Sequence, residues 1–79
     1  MQKNYWLIKC NHTPETVDKI MLSFRKRGMM VDMLHYKKIS EDTAECEVEF
    51  EDTPESAERI RKNILRLVDI NEVGPMVVA

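Results

Sequence analysis

The side chains able to carry chemistry are few and scattered. His12 and His35 are the only histidines, Cys10 and Cys46 the only cysteines, and Cys10-x-His12 is the one close pairing of metal-capable groups. Two ligands do not close a zinc site, so this pairing reads as a buried thiol at a strand end beside a loop imidazole. No Ser-His-Asp or Cys-His arrangement has a supporting context. Glu45, Glu47 and Glu49 fall on one face of an alternating run, with neighbours about 7 Å apart by strand rise. General acid catalysis would need a desolvated cleft around them, and a solvated strand face accounts for them with less. The loop Asn11-His12-Thr13-Pro14 has no Arg, which a small enzyme of acylphosphatase type would need to hold phosphate there.

The elements that position these groups can be read from a repeat. Thr-Pro-Glu occurs at residues 13–15 and again at 53–55, each copy between a strand-like and a helix-like run. A Thr N-cap, a Pro pre-set for the first helical position and a Glu near the positive helix end make both copies helix-start signals. Strands are expected at about 5–10, 30–39, 43–51 and 72–78, and helices at about 14–27 and 54–68. Within the first helix Val17, Ile20, Met21 and Phe24 recur at helical spacing, and Gly28 is placed to end it. Ala44, Cys46, Val48 and Phe50 alternate with Glu45, Glu47, Glu49 and Glu51, the pattern of a strand with one buried and one wet face. Ala57, Ile60, Ile64, Leu67 and Val68 mark the second helix.

The order βαββαβ, with right-handed crossovers, predicts a single α+β domain of ferredoxin-like form: a four-stranded antiparallel sheet, order 4-1-3-2, with both helices on one face. Pro75 cannot donate to a ladder, so strand four suits an edge. Strand two is then the edge left to pair with another chain. A homodimer through Val31, Asp32, Met33, Leu34 and His35 is expected, although Asp32, Lys37 and Lys38 are also the charges that blunt edges.

Size and charge narrow the partners. A chain of 79 residues buries only about 60% of its unfolded surface, so association with a copy or a larger partner would add stability. A net charge of −2 gives no pull toward nucleic acid or an anionic membrane. RNA binding through the sheet is a poor fit, because Tyr5 and Trp6 point to opposite faces and the glutamate row would repel phosphate. Met1 to Asn4 leave no room for a signal peptide, and no apolar run approaches bilayer-spanning length; the cytoplasm is the expected location. Met29, Met30 and Met33 cluster around the first helix exit, where core filling is the commoner use of the flexible thioether. Lys19, Arg25, Lys26 and Arg27 give the first helix a basic flank, which serves the helix dipole and solubility and could also meet an acidic partner.

Three stretches, Thr13-Pro14-Glu15-Thr16-Val17, Phe24-Arg25-Lys26-Arg27-Gly28 and Leu67-Val68-Asp69-Ile70-Asn71-Glu72-Val73, resemble in this order the ACT domain of acetolactate synthase small subunits. The length resembles the compact, valine-insensitive isozyme type. The resemblance implies a non-catalytic regulatory subunit, dimeric through its sheet, that activates a large catalytic subunit in branched-chain amino-acid biosynthesis. Thiamine diphosphate, magnesium and FAD would belong to that large subunit, with no cofactor, metal or catalytic residue on this chain. Feedback-sensitive members resemble Asn-x-Pro-Gly at the first helix entrance and Gly-x-Asn-Ile at the second strand entrance. Here His12 stands at the first Asn, Glu15 at the Gly and Met30 at the second Asn. A degenerate effector pocket is expected at His12, Thr13, Pro14, Glu15, Thr16, Met29, Met30 and Val31, with the Glu15 carboxylate and the Met30 thioether occupying it. The alternative is a free-standing ACT amino-acid-sensing module that acts on another enzyme.

Overall fold

A computed structural model of the chain describes residues 2–76. Its elements are β1 Gln2–Asn11, α1 Thr16–Arg25, β2 Val31–Lys38, β3 Thr43–Asp52, α2 Pro54–Leu65 and β4 Ile70–Pro75. The strands form one antiparallel sheet in the order β2-β3-β1-β4. This is the expected order counted from the other edge, and the fold is ferredoxin-like.

The two Thr-Pro-Glu copies start helices in different ways. Thr53 is extended (φ −72°, ψ 152°), and its hydroxyl accepts from the Ser56 amide at 3.3 Å, a side-chain cap with Pro54 at the first helical position. At the first copy the capping place falls to Glu15, already helical at φ −100° and ψ −12°, without a side-chain cap bond. The Thr13 hydroxyl is engaged with that of Thr16 at 2.6 Å, so Pro14 and Glu15 form a turn and α1 opens at residue 16 instead of 14.

Helix ends depart from expectation as well. The Gly28 amide donates to Arg25 O at 3.0 Å and the Met29 amide to Phe24 O at 3.1 Å, with Gly28 at φ +66°. This is a glycine-terminated Schellman pattern, in which Met29 folds back against the core beside Phe24. After α2, Arg66 and Leu67 donate to the carbonyls three residues before them. The tightened turn leaves Leu67 against the core but swings Val68 out to 84% exposure, off the apolar stripe to which the spacing assigned it.

Strand lengths are set by pairing. β1 begins at Gln2, not Tyr5, because β3 runs on to Asp52 and supplies partners for its polar start. β4 begins at Ile70, two residues earlier than expected, since Ile70 is buried and pairs with Cys10. The expected continuation over Val77 and Val78 lies outside the described residues.

The core fills the space between sheet and helices. Trp6, Ile8, Cys10, Val48 and Phe50 meet Ile20, Phe24, Ile60 and Ile64 there. Trp6 and Phe50 pack edge to face with centroids 4.7 Å apart, Phe24 and Phe50 at 5.0 Å. Asp52 is buried at the end of β3; one carboxylate oxygen accepts the Thr53 amide at 2.8 Å, and the other has no partner among the described residues. No helix among the described residues is long and apolar enough to cross a membrane.

In urea titrations Phe24→Ala is expected to lower the unfolding free energy by about 3–5 kcal/mol, and Thr53→Ala by about 1 kcal/mol. Gly28→Ala should cost about 1 kcal/mol through backbone strain alone, because nothing lies within 4 Å of an added methyl. A neutral Gly28→Ala would contradict the assigned helix ending.

Candidate functional site

The entrance of α1 holds a closed polar cluster. Backbone bonds from Asn11 to Asp69 O and from His12 to Asp42 O, both 2.8 Å, pin the loop between two neighbouring turns. Thr16 is fully buried and its hydroxyl donates to Asn11 O at 2.9 Å. Because that spends its only proton, the 2.6 Å contact with Thr13 has the Thr13 hydroxyl donating. The His12 Nδ1 lies 3.0 Å from the Tyr36 hydroxyl, and the two rings overlap with centroids 5.7 Å apart and planes tilted by 32°. Burial raises the Tyr36 phenol above its ordinary value.

The thiols beside this cluster are inert. Cys10 donates to Ala44 O at 3.5 Å, and burial, reinforced by Asp69, pushes its thiol up. Burial pushes Cys46 up to about 12. Cys10 thus faces the core while His12 turns to Tyr36, and no group of three His, Cys, Asp or Glu among the described residues could hold a metal.

The two side chains expected to occupy an effector pocket are both exposed in the single chain. The Glu15 side chain is 75% exposed, its carboxylate 3.6 Å from Lys19 Nζ. Lys19 also reaches Asp69 at 3.3 Å. Met30 is 82% exposed. At the helix entrance it is His12 and Tyr36 that pack against each other. Tyr36 is the residue that sequence reasoning missed. Its signal was the period-two step from Leu34, which sets both on the helix-side face of β2.

The two groups of residues expected to form that pocket lie apart in one chain. Asn11 pairs with Thr43, whereas Val31 pairs with Phe50, whose partner on β1 is Asn4. The seven steps from Asn4 to Asn11 span about 24 Å. His12, Thr13, Pro14, Glu15 and Thr16 therefore sit at one end of the sheet, and Met29, Met30 and Val31 at the other. Near the second group an open groove of about 410 Å³ is lined by Gly28, Met29, Met30, Asp32 and Glu51.

β2 is an edge of the sheet. Its pairing shifts register between Val31 and Met33, placing Asp32 at an irregularity. Met33 lies opposite Glu49 and His35 opposite Glu47, with His35 Nδ1 3.5 Å from that carboxylate.

The glutamate row on β3 is not the bare negative strip expected from its own sequence. Lys3 Nζ sits 2.7 Å from Glu49, and the Tyr5 hydroxyl donates to the same carboxylate at 3.0 Å. These bonds, Lys3 first, pull Glu49 below the usual carboxylate range, and the Glu49 bond raises Lys3 and Tyr5. Lys9 and Lys37 both stand opposite Glu45. The cations on β1 and β2 were visible in sequence, but their register against β3 was not.

Comparisons with known proteins agree on the fold. No protein-family model and no curated protein matches the sequence. Among solved structures, the acetolactate synthase small subunit from Thermotoga maritima superposes with a TM-score of 0.82 at 16% identity, over 95% of this chain and 47% of that one. This chain thus spans about half the length of that subunit. The ACT domain of GTP pyrophosphokinase from Chlorobium tepidum gives 0.80 at 8% identity, over 94% and 96% of the two chains. A homoserine dehydrogenase from Thiobacillus denitrificans gives 0.70 at 10% identity, over 95% of this chain and 17% of the enzyme. The chain has the ferredoxin-like fold of ACT domains.

Native protein at pH 8 is expected to resist alkylation at both cysteines and to react fully in urea. The unfolded Cys46 thiol loses its proton from about pH 9, while the folded one keeps it to about 12. Above pH 9 the unfolded state therefore binds fewer protons, and the thermal midpoint should fall as pH rises through this window. A midpoint that is flat from pH 9 to 11 would contradict the burial of Cys46.

Proposed function

We propose that this chain is a non-catalytic regulatory subunit that binds and activates the catalytic subunit of an acetolactate synthase, in the cytoplasm, without valine feedback. The observation that carries the reading is the coincidence of three family-like segments with their structural roles. Phe24 to Gly28 forms a glycine-terminated helix exit, Thr13 to Val17 forms the entrance cluster, and Leu67 to Val73 leads from α2 into β4. The fold shared with the Thermotoga small subunit supports the same reading. Thiamine diphosphate, magnesium and FAD belong to the catalytic subunit in this account, and the chain contributes no reacting group.

A second copy completes the device. A two-fold interface is isologous, so β2 pairs antiparallel with its counterpart. The Val31 end of one copy then lies beside the Tyr36–Lys38 end of the other, where Tyr36 holds His12. The pocket halves that one chain keeps apart meet across this joint. Glu15 and Met30, exposed in a single chain, border it. A carboxylate there opposes the carboxylate of an amino acid, and the thioether supplies no hydrogen bond in place of an Asn amide.

A second reading is a free-standing ACT sensing module that acts on another enzyme. It is favoured by a likeness of fold to the Chlorobium ACT domain, which comes from a different enzyme, a GTP pyrophosphokinase.

Reconstitution separates the two. Adding the chain to a purified acetolactate synthase catalytic subunit is expected to raise acetolactate formation several-fold, with the stimulated rate unchanged by millimolar valine. No stimulation would reject the first reading in favour of the second. Stimulation abolished by valine would reject the altered pocket.

A further inference from the structure

The charges of this chain are sorted by layer. Segments 16–30 and 54–69, the helices and the turns that end them, carry eight basic and four acidic residues, a formal balance of +4; the rest of the chain carries four basic and ten acidic, −6. The small net charge therefore conceals a basic helical layer set against an acidic remainder.

The two layers also differ in how their charges are satisfied. Outside the helical layer Lys3 pairs with Glu49 and Lys9 with Glu72, while Lys37 and Lys38 enter no ion pair among the described residues. On the helical layer Lys19 and Arg61 are paired. Arg25, Lys26, Arg27, Arg59, Lys62 and Arg66 enter no ion pair among the described residues, and all six are exposed.

Two of these six, Lys26 and Arg27, line one place. Between α1 and α2 runs a groove of about 670 Å³ lined by Ser23, Lys26, Arg27, Ser56, Asn63 and Leu67. Its two cations, Lys26 and Arg27, come from the turn that ends α1, and Ser56 and Asn63 from α2; Arg59 lines a separate depression with Glu55, Glu58 and Lys62. The partly buried Leu67 gives the groove an apolar floor at one end.

We propose that this groove is the docking site for an acidic segment of the larger enzyme that the chain serves, an inference that rests on the regulatory role above and adds the chemistry of the contact. Charge complementarity selects this occupant. The Lys26 ammonium and Arg27 guanidinium on a polar trough, within a helical layer of net positive charge, attract carboxylates at long range, and the guanidinium orients them by paired N–H donors. A second copy brings an equally basic helical layer and is repelled. A nucleic acid reaching beyond the groove meets the acidic remainder of the chain.

The test has two arms. Isotope-labelled chain is titrated with a synthetic Asp/Glu-rich peptide, its Asn/Gln counterpart and a short DNA duplex, while resonances of α1 and α2 are followed. The acidic peptide alone is expected to shift groove residues, with an affinity that falls as salt is raised. In the second arm the affinity of the full chain for an acetolactate synthase catalytic subunit is measured. Lys26→Glu with Arg27→Glu should weaken both interactions by about tenfold or more, Lys26→Arg with Arg27→Lys should keep most of each, and circular dichroism establishes that both variants fold. Equal shifts with the Asn/Gln peptide, tighter binding of DNA, or an unchanged affinity in the charge-reversed variant would overturn the docking site. A wild-type chain that binds the acidic peptide in the groove but not the catalytic subunit would leave the groove standing and reject the enzyme assigned to it.

Discussion

The contact on which the rest of the structure leans is the aromatic cluster of Trp6, Phe24 and Phe50. β1, α1 and β3 each contribute one ring, and both close pairs have edge-to-face geometry. Such pairs add to plain area burial and also fix direction. Phe24 lies in the last turn of α1, so the same contact sets where the helix ends, where Gly28 turns the chain and where β2 begins. β1 and β3 are the two central strands, and the edges are hung from them.

This architecture spends the chain's reactive side chains on packing and pairing. Its thiols are spent as small core residues, with their protons held by burial. The imidazole of His12 is paired with a phenol, and the glutamates of β3 are interleaved with cations from β1 and β2. Among the described residues the open groups include an edge of backbone donors and acceptors on β2 and a set of unpaired cations over the helices. Both are surfaces that another chain can engage.

Much of the fold was legible in the sequence because its periods are clean. The alternation from Ala44 to Glu51 permits one buried face, and the Thr53-Pro54 start is a self-contained capping signal. The departures have local causes that a linear reading does not carry. Thr13 resembles Thr53 in sequence, yet its hydroxyl is claimed by Thr16, whose burial only the tertiary structure reveals. Val68 follows the helical period but lies beyond the tightened turn at Leu67. At the site, the loop residues were identifiable, whereas the Tyr36 partner of His12 and the cations opposite the glutamate row depended on strand register. The separation of the residues expected to form the pocket likewise follows from which end of β1 faces Val31.

The most direct test of the account is whether the free β2 edge is closed by a second copy. Sedimentation equilibrium should give about twice the 9.3 kDa chain mass, and amide exchange should be slow at every residue of β2, including those whose N–H points away from β3. A mass of 9.3 kDa at high concentration, with alternate β2 amides exchanging as fast as a loop, would contradict it.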